Sequence, residues 1–164
     1  MRANEPKRKI VLERDFPGSV KDAWELWTTA EGLESWWGPD GFFVKVHAID
    51  VRPGGVLLYS MTASGAEQRA FLERAGRPTS SDHRVTYVEV EPLRHLAYDH
   101  LVGFVPGVPP YETRHEVDFH EAGSGMRLVV TIEAMHDEEM TRMAVMGWTS
   151  ELTRLWRRLA SRAP

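Results

Sequence analysis

The chain has 164 residues, 42% of them hydrophobic and 10% aromatic, enough for one domain with a substantial core. Its formal net charge of −4 provides no global basic field, which argues against nucleic acid or a membrane surface as a partner. The absence of cysteine rules out disulfides, thiolate metal sites and a cysteine nucleophile, and no run approaches the ~18 apolar residues of a membrane span.

Residues 1–8 are polar and contain no apolar signal region, so the expectation is a tail followed by a single domain over residues 9–162 of a cytoplasmic protein. Ile10, Leu12 and Phe16 fall on alternate positions opposite Glu13 and Asp15, predicting a first strand. Ser19 with Asp22 forms a capping signal for a short helix whose apolar face is Val20, Ala23, Trp24 and Trp27. Thr28 with Glu31 opens a second, carrying Leu33, Trp36 and Trp37. Gly38 can take the left-handed conformation that ends a helix, and Pro39 prevents its continuation. Residues 43–51 read as a strand, and Pro53-Gly54-Gly55 turns the chain into another at 56–62.

An inserted helix is expected at residues 65–78, opened by Ser64 and Glu67 and stopped by Gly76 and Pro78, with Ala70, Phe71 and Ala75 turned inward. Strands resume at 83–91 and 94–102, and a proline-stiffened loop with Phe104 and Val105 covers 103–110. Thr113, His115, Val117 and Phe119 then alternate with polar residues, the clearest half-buried strand in the chain. After a turn at 122–125, Met126, Leu128, Val130, Ile132 and Ala134 form the inward face of its partner. Asp137 caps a final helix running to about residue 160, with one stripe of Met140, Ala144, Trp148, Leu152, Leu155 and Leu159.

Three motifs stand out in this order: Trp36-Trp37-Gly38-Pro39, Arg52-Pro53-Gly54-Gly55 and Gly147-Trp148. Together they resemble the helix-grip superfamily of START-like, or SRPBCC, domains. Within it, the chain is similar to the family named after the C-terminal domain of the activator of Hsp90 ATPase, over about residues 14–159. The resemblance implies an α+β helix-grip fold: a curved antiparallel sheet wrapped around the long C-terminal helix, with two short helices after the first strand. The insert at 65–78 departs from the simplest family pattern and would sit near the mouth of a cavity. There the insert would be either a lid or an ordinary surface helix.

Such a cavity would be bordered by Trp36, Trp37, Phe71, Tyr98, His100, Phe104, His115, Met143, Met146 and Gly147. Aromatic walls with adaptable methionines suit an apolar or aromatic small molecule. The seven histidines are spread over different strands and show no metal-ligand spacing, so neither a metal nor a cofactor is expected. No nucleophile elbow or phosphate-binding glycine loop is present.

Three functions follow. The first is a small-molecule-binding domain with its ligand between sheet and long helix. The second, implied by the family, is an Hsp90-activator-like interaction module. The co-chaperone has two domains and this chain has length for one, so Hsp90 is disfavoured as a partner. The third is an enzyme resembling polyketide cyclases and aromatases, using His115, His100 and Tyr98. The sequence leaves a homodimer open.

Overall fold

The computed structural model describes residues 7–162, so residues 1–6 of the expected tail lie outside the described residues. Lys7 and Arg8, also assigned to that tail, are tied down instead. Lys7 Nζ donates to the Glu112 carbonyl at 2.7 Å, and Arg8 pairs with Glu138 at 2.9 Å. Among the described residues, no helix is long and apolar enough to cross a membrane.

The elements run β1 (Lys9–Phe16), α1 (Val20–Thr28), α2 (Ala30–Trp36), β2 (Phe42–Ile49), β3 (Val56–Ala63), α3 (Ala66–Arg74), β4 (Ser80–Glu91), β5 (His95–Val102), β6 (Tyr111–Ala122), β7 (Gly125–Glu133) and α4 (Glu138–Arg162). All seven strands form one antiparallel sheet in the order β1-β7-β6-β5-β4-β3-β2. Helix α4 packs on its concave side, giving the α+β helix-grip arrangement. An antiparallel sheet can bury one face and leave the other wet, and the alternating burial along β6 and β7 follows that rule.

Local chemistry explains the helix boundaries. Ser19 Oγ accepts the Asp22 N–H at 3.1 Å, as its position predicts. The second helix is capped one residue later than expected: Thr29 Oγ1 accepts the Gly32 N–H at 3.0 Å. Thr28 is still helical, its hydroxyl bonded back to the Trp24 carbonyl at 2.7 Å, whereas Thr29 has the extended backbone of a cap. Gly38 has φ of +90°, the left-handed stop that the sequence signalled.

The insert corrects the predicted inward face. Leu72 is the buried residue of α3, while Phe71 is 46% exposed and Ala75 is exposed. A helix this short buries a narrow stripe, and the register puts Leu72 on it, one residue beyond the predicted position.

In α4 the stripe behaves in two ways. Trp148, Leu152, Leu155 and Leu159 are buried, whereas Met140 and Ala144 near its start are half-buried. Asp137 Oδ1 accepts the Met140 N–H at 2.7 Å and so caps the helix as expected. The core centres on tryptophans: Trp27 lies 4.6 Å from Trp36 and stacks on Trp148 at 6.2 Å, and Trp37 meets Trp148 edge-on at 5.4 Å.

Candidate functional site

Sheet and helix do not close completely. A cleft of about 460 Å³ remains between the concave face and the N-terminal half of α4. Met140, Met143, Ala144, Gly147, Trp148 and Glu151 line it from the helix, at the three- and four-residue spacing that places side chains on one face. The sheet contributes Tyr59, Met61, His83, His100, Thr113, His115 and Ile132, all from positions facing α4. Trp37 follows α2, Phe71 and Leu72 come from α3, and Phe104 comes from the loop after β5. A Cβ added at Gly147 would meet nothing within 4 Å, so the helix presents bare backbone to open space there.

Seven of the ten residues expected around a cavity therefore border this cleft: Trp37, Phe71, His100, Phe104, His115, Met143 and Gly147. Trp36, Tyr98 and Met146 do not. Trp36 is fully buried beneath the cleft, where its indole N–H donates to the Leu26 carbonyl at 2.9 Å. Tyr98 lies in the layer below, 3% exposed and packed 6.3 Å from Tyr87 and 5.3 Å from His115. Met146 is 71% exposed. One helical residue is a rotation of about 100°, which carries Met146 away from the face that Gly147 and Met143 share.

The sheet also gathers histidines that look scattered in the sequence. His83 Nδ1 lies 3.2 Å from His100 Nε2, and the rings of His100 and His115 are 5.8 Å apart. Adjacent strands β4, β5 and β6 bring them together, because each occupies a position facing α4. Ser81 Oγ bonds His83 Nε2 at 2.7 Å, and Thr113 Oγ1 bonds His115 Nε2 at 3.2 Å. Burial pushes His83 and His115 down to about 4 and His100 well below its ordinary value, so all three are neutral at physiological pH. His115 Nδ1 and Trp37 Nε1 are buried without a hydrogen-bond partner among the described residues.

Several polar residues of the cleft were missed, among them Ser81, His83, Thr113 and the buried Glu151. Glu151 is 8% exposed, and burial raises its carboxyl to about 8 against the opposing pull of Arg154 and the Gly38 N–H. A signal existed: Glu151 is three residues after Trp148 and four before Leu155, inside the apolar stripe. Arg154 fastens the same helix to the Trp-Trp-Gly-Pro segment. Its guanidinium donates to the Gly38 carbonyl at 2.7 Å and lies within 3.2 Å of those of Pro39 and Phe42. Ser150 adds a second tie by accepting the Asp40 N–H at 2.9 Å.

On the opposite face of the sheet, Glu89, His95 and Glu116 place potential ligand atoms within 4.8 Å of one another. Both ring nitrogens of His95 are already engaged by carboxylates, with Asp118 at 2.7 Å and Glu89 at 2.8 Å. Partners on both sides hold its pKa above the ordinary value despite the opposing effect of burial, as befits an ion-pair network.

The sequence profile of the family described as "Activator of Hsp90 ATPase homolog 1-like protein" matches residues 17–160. Similar solved structures include an AHSA1 protein from Silicibacter pomeroyi, 20% identical, with a TM-score of 0.74 over 94% of this chain and 99% of that one. Protein CV1439 from Chromobacterium violaceum is 18% identical, with a TM-score of 0.72 over 92% of this chain and 96% of that one. Protein Ms6760 from Mycobacterium smegmatis is also 18% identical, with a TM-score of 0.72 over 94% and 92%. At such identities the likeness establishes a common fold. Among curated proteins, none matches the sequence. Because the profile spans nearly the whole chain, from just after β1 through most of α4, this protein belongs to the family of Activator of Hsp90 ATPase homolog 1-like proteins.

Proposed function

We propose that the protein binds an apolar or aromatic small molecule in the cleft between sheet and α4. The fold and family are compatible with a ligand-binding type of domain in general. The finer reading is supported by one observation above the others: Gly147 turns uncovered backbone toward open space in the middle of an otherwise packed helix. A glycine in a helix interior costs up to about 1 kcal/mol relative to alanine, so a residue that neither packs nor turns the chain stands here at a stability cost. Aromatic walls and a few polar groups around about 460 Å³ suit a ligand of modest size.

The test is a panel of neutral aromatic compounds read by tryptophan fluorescence and melting temperature. A true ligand quenches Trp37 and Trp148 and raises Tm, since binding only the native state stabilises it by about 2.7 kcal/mol at a hundredfold excess over Kd. Gly147→Phe fills the cleft and abolishes both responses while the protein remains folded. A panel without any response, or a response that Gly147→Phe leaves intact, contradicts the reading.

A further inference from the structure

Glu151 is the one acidic side chain among the buried described residues. It makes no ion pair within 4 Å among those residues, and Arg154, whose charge acts on it, is committed to the backbone carbonyls of Gly38, Pro39 and Phe42. The cleft as a whole has the same bias. Three carboxyl side chains line it (Glu67, Glu133 and Glu151), with Lys7 lying 4.0 Å from Glu133, against Arg77 as the single lysine or arginine of the lining. The three histidines on its walls carry no compensating charge, because burial keeps them neutral. Trp37, Tyr59 and Trp148 bring aromatic rings to the same space, and aromatic faces attract cations.

We propose that the preferred occupant of the cleft is a hydrophobic organic cation, an aromatic amine or ammonium compound, whose positive charge is received by Glu151 among the rings of Trp37, Tyr59 and Trp148. This rests on the ligand reading above and specifies its chemistry. A neutral ligand or an anion leaves the carboxyl protonated and gains no ion pair from it, whereas a cation gains one. The groups around Glu151 are consistent with this balance. Tyr59 and Tyr98 are held as neutral phenols by burial, while Arg154 and the Gly38 N–H favour the carboxylate. With the carboxyl raised to about 8, the empty protein carries the proton at neutral pH. An arriving ammonium displaces that proton to the buffer, leaving a carboxylate–ammonium pair, so charge and protons balance.

The experiment compares 1-naphthylmethylamine with its uncharged counterpart 1-naphthylmethanol, by calorimetry at pH 7 in two buffers of different ionisation enthalpy. The expected result is an amine affinity about tenfold or more above that of the alcohol, with release of close to one proton on amine binding alone. In Glu151→Gln the amine binds no tighter than the alcohol, and its proton release is lost. If the alcohol binds and the amine is no tighter, or if the preference survives in Glu151→Gln, the cation inference is overturned and the ligand reading stands. Binding of neither compound overturns the inference, and silence of the neutral panel as well overturns the ligand reading with it.

Discussion

Trp148 is where helix, sheet and cleft meet. It stacks on Trp27, meets Trp37 edge-on and lies 5.6 Å from the His115 ring, with only 5% of its surface exposed. Trp148→Ala therefore removes contacts from three elements at once and is expected to destabilise the fold by about 3–5 kcal/mol in a reversible unfolding experiment. A loss below about 1 kcal/mol, typical of surface sites, would contradict its placement. Single residues divide sharply in how well the sequence disclosed them. Trp148 and His115 were legible because each lies in phase with an apolar pattern. Trp36 and Tyr98 share that phase, but phase alone cannot distinguish a side chain bordering a cleft from one filling the layer beneath it. Glu151 was hidden by its chemistry: a carboxylate reads as solvent-facing until burial shows otherwise.

At the scale of elements, α4 combines two tasks along one stripe. Its C-terminal half packs through Leu152, Leu155 and Leu159, while its N-terminal half lines the cleft. Gly147 marks the change. Because its backbone has ordinary helical φ and an added Cβ meets nothing within 4 Å, Gly147→Ala is expected to stabilise the protein by up to about 1 kcal/mol. Unchanged or lower stability in thermal unfolding would show that the position is more crowded than described. The strands and α4 were legible because period-two and helical patterns persist along them. The insert was legible as a helix but not in its facing. Over nine residues the pattern is too short to separate Phe71 from Leu72, and contacts with the rest of the molecule decide. The meeting of His83, His100 and His115 was equally invisible, since it depends on the register of three strands.

For the whole molecule, the buried histidines and Glu151 set a pH dependence of stability with opposite signs. The histidines have folded pKa values depressed below 6.5, so their contribution is present above 6.5 and is lost as pH falls toward about 4. Glu151 is raised from 4.5 to about 8, so its contribution is full below 4.5 and is lost as pH rises through 8. Between 4.5 and 6.5 three histidines outweigh one carboxyl, and stability rises with pH. Above 6.5 the carboxyl acts together with His95, whose folded pKa is raised, and the carboxyl's share alone lowers stability by roughly 1.4 kcal/mol per pH unit up to 8. Denaturant midpoints across this range should peak near pH 6.5, and Glu151→Gln should flatten the descending limb. A descending limb that is the same in Glu151→Gln would assign it to other groups. The central claim is that the space between sheet and helix holds a ligand. It is tested most directly by following the six tryptophan indole N–H signals by NMR during titration with a compound that raises Tm. The expected result is that Trp37 and Trp148 shift while Trp24 and the exposed Trp156, which do not line the cleft, stay in place. Shifts confined to Trp156 or Trp24 would place the ligand on the outside of the molecule and contradict the claim.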